Sequence, residues 1–270
     1  MTDRPLQGKW ALILGASSGF GAATGRALAA AGMNIAGVHL DLRGTLPAAK
    51  AVIAEIEALG VQTYFVNTNA ADAEKRAKVL DGLAGLLGPD GAIHVVMHSL
   101  AFGTLKPFIA DNPEDAIDQA QMEMTSNVMA HSLVYWTQDL VRRNLLTRGS
   151  RIFSMTSEGS TRVVPNYGAV SAAKAALESH TRQLAMELGP RGILVNAIQA
   201  GVTDTPALRK IPGSDKMIDL TMQRNPIGRM TTPEDVAATI AALSQPNIQF
   251  ISGSVIFVDG AEAVVAYPKT

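Results

Sequence analysis

The chain has 270 residues, 47% of them apolar and 17% charged, with a formal net charge of -1 and no cysteine. This composition excludes a disordered chain, and a near-neutral charge without a dense run of Lys or Arg excludes nucleic acid as a partner. Without a thiol there is no disulfide framework, thiolate nucleophile or zinc-thiolate centre, which leaves the chemistry to oxygen and nitrogen groups.

Residues 1–9 are polar and lead straight into an apolar, β-rich run at 10–14. No later apolar run approaches ~20 residues, so neither a signal peptide nor a membrane span is expected, and the protein is placed in the cytoplasm. Directly after the first strand comes Gly15-Ala16-Ser17-Ser18-Gly19-Phe20-Gly21, followed by a small-residue helix at 21–31. A glycine-rich turn between strand and helix is the setting that holds a pyrophosphate. Gly15 permits the tight turn, Gly19 lets the backbone approach, and Gly21 lets the helix pack on the strand with its N–H groups toward the anion. Ser17 and Ser18 add hydroxyl donors.

Further strands are expected at 34–38, 63–66, 93–97, 151–155, 193–198 and 254–258, separated by helices at 46–59, 73–87, 114–143, 170–188 and 233–244. Asp111-Asn112-Pro113-Glu114 and Thr232-Pro233-Glu234-Asp235 carry start signals, with a cap residue before proline and acids in the first turn. Strands apolar on both faces need helices on both sides, which makes the fold α/β: a single-domain Rossmann fold whose doubly wound parallel sheet has about seven strands. Residues 203–225 are richer in Pro, Gly and Thr than their surroundings and are the candidate for a mobile lid. The five histidines show no ligand spacing, and no metal site is expected.

After the fifth strand come Ser157 and then Asn166-Tyr167-Gly168-Ala169-Val170-Ser171-Ala172-Ala173-Lys174. A phenol with a pKa near ~10 gains from an ammonium close by, which stabilises its phenolate. If the segment is helical throughout, seven steps bring Tyr167 and Lys174 within ~20° of one face but displace them by ~10.5 Å, against ~6 Å for a four-residue step. A tyrosine displaced outward suits a reaction in which hydride reaches one carbon while charge appears on an oxygen two carbons further on.

On these motifs the chain resembles the short-chain dehydrogenase/reductase superfamily over residues 9–259. Within it, the seven-residue step is similar to bacterial enoyl-(acyl-carrier-protein) reductases. The runs from Asn166 to Glu178, Ala185 to Leu188, Val195-Asn196-Ala197 and Asn225-Pro226-Ile227-Gly228-Arg229-Met230 look most like the NADPH-using type III enzymes. His98-Ser99-Leu100-Ala101-Phe102 resembles the type I enzymes instead. The resemblance implies that Tyr167 is the acid or enolate stabiliser and Lys174 the ribose-binding partner. It makes Ser157 the active-site serine and Asn127 the support of the lysine through water. The cofactor would lie along the glycine loop including Phe20, with Asn69 and Ala70 near the adenine, and Ser99, Leu100 and Ala101 along its length. Val202, Thr203 and Thr205 would contact nicotinamide and phosphate. His39 occupies the end of the second strand, where NAD enzymes of this kind place an acid, with Asp41 two and Arg43 four residues on. The expected cofactor is therefore NADPH, with NADH the alternative. Three departures from the superfamily pattern stand out: no Asn-Asn-Ala-Gly follows the fourth strand, Ala200-Gly201 replaces Pro-Gly, and Asp259-Gly260-Ala261 replaces a double glycine.

The implied function is reduction of trans-2-enoyl thioesters on acyl carrier protein or coenzyme A, in fatty-acid or related synthesis. Two alternatives remain: a carbonyl reductase or alcohol dehydrogenase using the same Ser157, Tyr167 and Lys174, and a non-catalytic dinucleotide sensor. The apolar content of the helix at 170–188 and the superfamily resemblance imply a homotetramer.

Overall fold

The computed structural model describes residues 5–211 and 213–266. Its strands are β1 (Trp10–Leu14), β2 (Asn34–His39), β3 (Thr63–Asn67), β4 (Ile93–His98), β5 (Arg151–Ser157), β6 (Leu194–Ala200) and β7 (Val255–Val258). They form one sheet in the order β3-β2-β1-β4-β5-β6-β7, every neighbouring pair parallel. The order reverses between β1 and β4, and the carboxyl ends of these two strands open the crevice in which a doubly wound sheet binds its ligand.

Alternation along the strands divides the core. Leu12, Leu14, Val96, Ile152 and Val195 pack on one side of the sheet with helices α3 (Ala73–Leu87), α5 (Ser132–Arg142) and α6 (Gly168–Leu188). Ala11, Ile13, Val95, Met97, Phe153 and Ile198 pack on the other side with α1 (Gly19–Ala30), α2 (Leu46–Glu57) and α8 (Pro233–Leu243). Neither face of the central strands β1, β2, β4, β5 and β6 meets water, which is why they read as continuous apolar runs, whereas the edge strands β3 and β7 are only partly covered. No helix among the described residues is long and apolar enough to cross a membrane.

The helix expected at 114–143 is three pieces. Asn112 does cap, its side chain accepting from Glu114 N–H, but this starts only a 3-10 turn at Pro113–Asp115, and Ala116 is extended. A capping box between Asp118 and Gln121 then starts α4 (Gln119–Ser126). A π-helical turn, Asn127–His131, separates α4 from α5. Ser132 Oγ donates to the Val128 carbonyl at 2.8 Å within this turn. Its lone pair is thereby left to accept from His98 Nε2, also at 2.8 Å, so the His98 proton sits on Nε2. The end of β4 is thus pinned to the π turn.

His98 is fully buried, and burial, with the Lys174 charge adding to it, pulls its pKa down from 6.5 to about 3. His94, whose Nε2 lies 2.9 Å from the Ser244 carbonyl, is drawn down to about 4, again chiefly by burial. Below pH 6.5 the unfolded chain binds protons that these folded-state imidazoles refuse. Their contribution to stability is therefore complete above about 6.5 and is lost as the pH falls toward 4 and 3. We expect the urea midpoint to fall between about pH 7 and pH 5, and to fall less in His98→Gln than in the wild type. Equal falls would show that His98 has no part in the acid sensitivity.

Candidate active site

The glycine loop closes the carboxyl end of β1. Gly15 has φ +91°, and a Cβ there would stand 2.5 Å from the Ser99 carbonyl oxygen. A Cβ on Gly21 would stand 2.0 Å from the Gly15 carbonyl oxygen. Both positions are close backbone approaches that only glycine permits. α1 starts at Gly19, two residues earlier than expected. Ser18 takes the cap position with extended backbone and makes no side-chain capping bond, and no acid lies in the first turn. The helix start therefore keeps donors and dipole for an external anion. Phe20 packs against the core, and the Gly19 backbone approaches the Thr205 side chain. These features fit the pyrophosphate of a dinucleotide.

At the end of β2, His39 is buried and its Nδ1 lies 2.8 Å from Asp41 Oδ2. Asp41 is fastened by its backbone as well, exchanging two 2.9 Å bonds with the Asn67 side chain at the end of β3. Burial pushes the Asp41 carboxyl up, but hydrogen bonds from Thr45, Ser17 and His39 outweigh it and hold the group below its usual value. The carboxylate therefore spans from β2 to Ser17 of the glycine loop, while Arg43 is exposed. Asn69 closes a small turn by accepting from Ala71 N–H, and the Ala70 carbonyl receives the Trp136 indole N–H at 2.8 Å. Ser99 follows β4 directly, its N–H bonded to the Leu14 carbonyl, so Ser99 and Leu100 lie against the glycine loop, with exposed Ala101 next along the chain.

The third group gathers at the end of β5. Lys174 is 6% exposed, and its Nζ donates to the Met155 carbonyl at 2.6 Å. Burial draws the ammonium down to about 8, opposed by Glu178, which accepts a hydrogen bond from Thr156. Tyr167 is pushed upward by burial. Ser157 opposes part of that rise, and its Oγ is buried with no hydrogen-bond partner among the described residues. Gly159 backs the Tyr167 ring, because a Cβ there would stand 2.6 Å from Tyr167 Cε1. Lys174 Nζ, on the Met155 carbonyl, and the Tyr167 ring, beside Gly159, thus both lie near the end of β5 that carries Ser157.

One expectation is corrected. The segment is helical from Gly168 onward, but Tyr167 is the cap residue, with ψ 2°, and Asn166 before it is left-handed with φ 62°. The Cα of a cap residue stays on the helical cylinder, so the axial offset of ~10.5 Å survives. Its Cβ, however, is rotated by about 45° from the helical direction, so the ~20° alignment does not apply. Asn127 is half-buried as the first residue of the π turn rather than in mid-helix. Among the described residues the Lys174 ammonium bonds to the Met155 carbonyl and not to the Asn127 side chain.

Past β6, Thr203 and Thr205 are buried, with Thr203 Oγ1 donating to the Gly201 carbonyl and Thr205 Oγ1 accepting from Leu208 N–H. Val202 N–H donates to Glu262 Oε2 at 3.3 Å. The stretch at 203–225 contains a 3-10 turn, Leu208–Lys210, and α7 (Ser214–Arg224); Pro212 lies outside the described residues. Sequence reasoning missed Glu158, Arg224 and Glu262, which meet behind Ser157. No local spacing signals them, since they come from three separate segments. Among the described residues no group of three or more ligand-type side chains could hold a metal.

A family model described as Enoyl-(Acyl carrier protein) reductase matches residues 15–261. The enoyl-(acyl-carrier-protein) reductase (NADH) of a Nostoc species is 31% identical over 263 residues, spanning 96% of this chain and 98% of that protein. Cyclohexanol dehydrogenase of a Rhodococcus species is 29% identical over 277 residues, again spanning 96% and 98%. Among solved structures, a short chain dehydrogenase from Burkholderia cenocepacia in complex with NADP is 30% identical with a TM-score of 0.80, covering 96% of this chain and 99% of that one.

Adding a methyl group at Gly21 forces the loop open. We expect Gly21→Ala to cost about 1–3 kcal/mol of stability and to weaken dinucleotide binding at least ~10-fold by titration calorimetry. Unaltered binding would mean that the loop does not hold the cofactor.

Proposed function

The chain belongs to the short-chain dehydrogenase/reductase superfamily and resembles its enoyl-(acyl carrier protein) reductases, and from that premise we propose that it reduces the C2=C3 bond of trans-2-enoyl thioesters. It is an oxidoreductase that uses a nicotinamide dinucleotide. The thioester is carried on acyl carrier protein or coenzyme A, in fatty-acid or related synthesis, and the working form is a cytoplasmic homotetramer. The observation that carries this reading is the seven-residue step from Tyr167 to the buried Lys174, with Ser157 beside the phenol.

The cofactor, when bound, supplies hydride for the β-carbon. Charge then develops on the thioester oxygen, and Tyr167, kept protonated by burial, donates to that oxygen. Lys174 is fixed on the Met155 carbonyl with two further N–H donors, enough to hold the ribose hydroxyls while its charge favours the phenolate. Ser157 orients the phenol, and Asn127 supports Lys174 through water. Ser99 to Ala101, Val202, Thr203 and Thr205 line the cofactor. Residues 203–225 cover the acyl chain; α7 leaves Leu220 and Met222 exposed, apolar surface suited to that task. Exposed Phe250, Phe257 and Val264 around β7 support self-association.

The position of Asp41 favours NADH over the NADPH suggested by the sequence resemblance. A carboxylate held ionised between His39 and Ser17 accepts from ribose hydroxyls and repels a 2'-phosphate, whereas exposed Arg43 is not drawn into the site. Carbonyl reduction is the second reading, supported by the cyclohexanol dehydrogenase relative and by the close approach of Ser157 to Tyr167.

Purified protein should oxidise NADH with crotonyl-coenzyme A and show little turnover of acetoacetyl-coenzyme A, with Tyr167→Phe lowering enoyl turnover by ~100-fold or more. Ketone turnover alone would establish the carbonyl reductase instead. Because Lys174 must be charged and its pKa lies at about 8, kcat/KM should be flat below pH 8 and decline above it. Asp41→Ala should raise kcat/KM with NADPH relative to NADH by ~10-fold. An unchanged ratio would remove Asp41 from cofactor choice.

A further inference from the structure

The reductase chemistry leaves unused a charged cluster behind Ser157. Arg224, the last residue of α7, donates from Nη2 to both carboxylate oxygens of Glu158 at 2.9 Å and lies 3.6 Å from Glu262 Oε1. Glu158 follows Ser157 directly and also pairs with Arg162 at 2.7 Å. Arg162 in turn donates to the Ala263 carbonyl at 2.6 Å. Glu262 is only 2% exposed. Its Oε1 accepts from Thr221 Oγ1 of α7 at 3.1 Å, and its Oε2 accepts from Val202 N–H after β6. Two carboxylates and two guanidiniums therefore join α7, the loop after β5, the loop after β6 and the segment after β7.

An exposed ion pair would contribute little here, but the burial of Glu262 changes the balance. Burial pushes its carboxyl up, the Glu158 charge adds to the rise, and Arg224 with the hydrogen bonds from Thr221 and Val202 opposes it. Without Arg224 the two carboxylates would lose the cation they share, leaving Arg162 on Glu158 and only the neutral donors of Thr221 and Val202 on buried Glu262.

We propose that Arg224 and Glu262 are positioning residues that fasten α7 over the acyl side of the site and hold the Ser157 and Val202 loops in register with it. Covering the substrate and setting the active-site serine thereby become one motion. The inference rests on the reading of residues 203–225 as the substrate cover. It goes beyond that reading by naming what seats the cover and by making its seat the same residues that support Ser157 and Val202.

The test uses the full chain with NADH bound, comparing wild type, Arg224→Gln, Arg224→Lys and Glu262→Gln by limited proteolysis, thermal unfolding and crotonyl-coenzyme A kinetics. In Arg224→Gln, cleavage within α7 should be ~10-fold faster and KM for crotonyl-coenzyme A ~10-fold higher, with a smaller change in kcat. Arg224→Lys should recover part of both effects, since it keeps the charge but loses the planar guanidinium whose Nη2 reaches both Glu158 oxygens. Glu262→Gln should lie between wild type and Arg224→Gln. Unchanged cleavage in Arg224→Gln would overturn the proposal. So would a uniform increase in cleavage along the chain accompanied by a lowered melting temperature, because the cluster would then be a general stabilising contact. Failure of the wild type to turn over crotonyl-coenzyme A would instead refute the enoyl reading, and the proteolysis comparison would still decide the role of Arg224.

Discussion

The site depends on an ammonium held inside the protein. Lys174 has almost no exposure, and among the described residues the one oxygen that its Nζ meets in a hydrogen bond is the carbonyl of Met155. Burying a charge there is unfavourable unless the surroundings compensate, and they do so incompletely, which draws its pKa down to about 8. Several features follow from that choice. The end of β5 must keep its carbonyl directed to the helix, α6 must pack closely on β5 and β6, and neighbouring His98 must stay neutral. The Lys174 charge itself helps keep it so. Ribose hydroxyls are suited to complete the hydrogen bonding of such a lysine, so cofactor binding and the charge state of the site are linked.

A second constraint lies at the opposite end of the crevice. The glycine loop brings backbone against backbone, with Gly15 at the Ser99 carbonyl and Gly21 at the Gly15 carbonyl. The loop can approach an anion because Gly15, Gly19 and Gly21 have no side chain at its closest points. Asp41 then fixes the loop laterally through Ser17. A carboxylate held beside the loop sets the charge there, a feature of side-chain placement that strand spacing alone does not supply.

The sequence disclosed what is local and periodic. Seven apolar runs became seven strands, the helix at 73–87 has the bounds expected, and Ser157 ends β5 with Lys174 on the helix that packs against it. It misled where two start signals compete. Asn112 before Pro113 is a sound cap, but the capping box at Asp118 supersedes it, and the π turn that follows α4 has no sequence signature. The count from β2 found His39 at the expected position for an acid, and the carboxylate nearest to it, Asp41, lies two residues on, where the chain is tied to the Asn67 side chain. Glu158, Arg224 and Glu262 were invisible for a different reason: their meaning lies in long-range pairing, which periodicity cannot report.

The cap position of Tyr167 carries the distinction between the two reductase readings. A tyrosine within a regular helix has its direction fixed by the helix, and seven steps would set it both outward and nearly in line with Lys174. At the cap, the axial displacement remains but the direction is free to be set by what lies around the ring, here Gly159 behind it and Ser157 beside its hydroxyl. Displacement argues for an oxygen remote from the carbon that receives hydride, and proximity to Ser157 argues for an oxygen that the serine can also reach. Both conditions are met by a thioester carbonyl whose oxygen lies outward from the nicotinamide and within reach of both hydroxyls. A ketone carbon under the nicotinamide would need its oxygen back along the helix toward Lys174, the direction from which the seven-residue step removes the phenol.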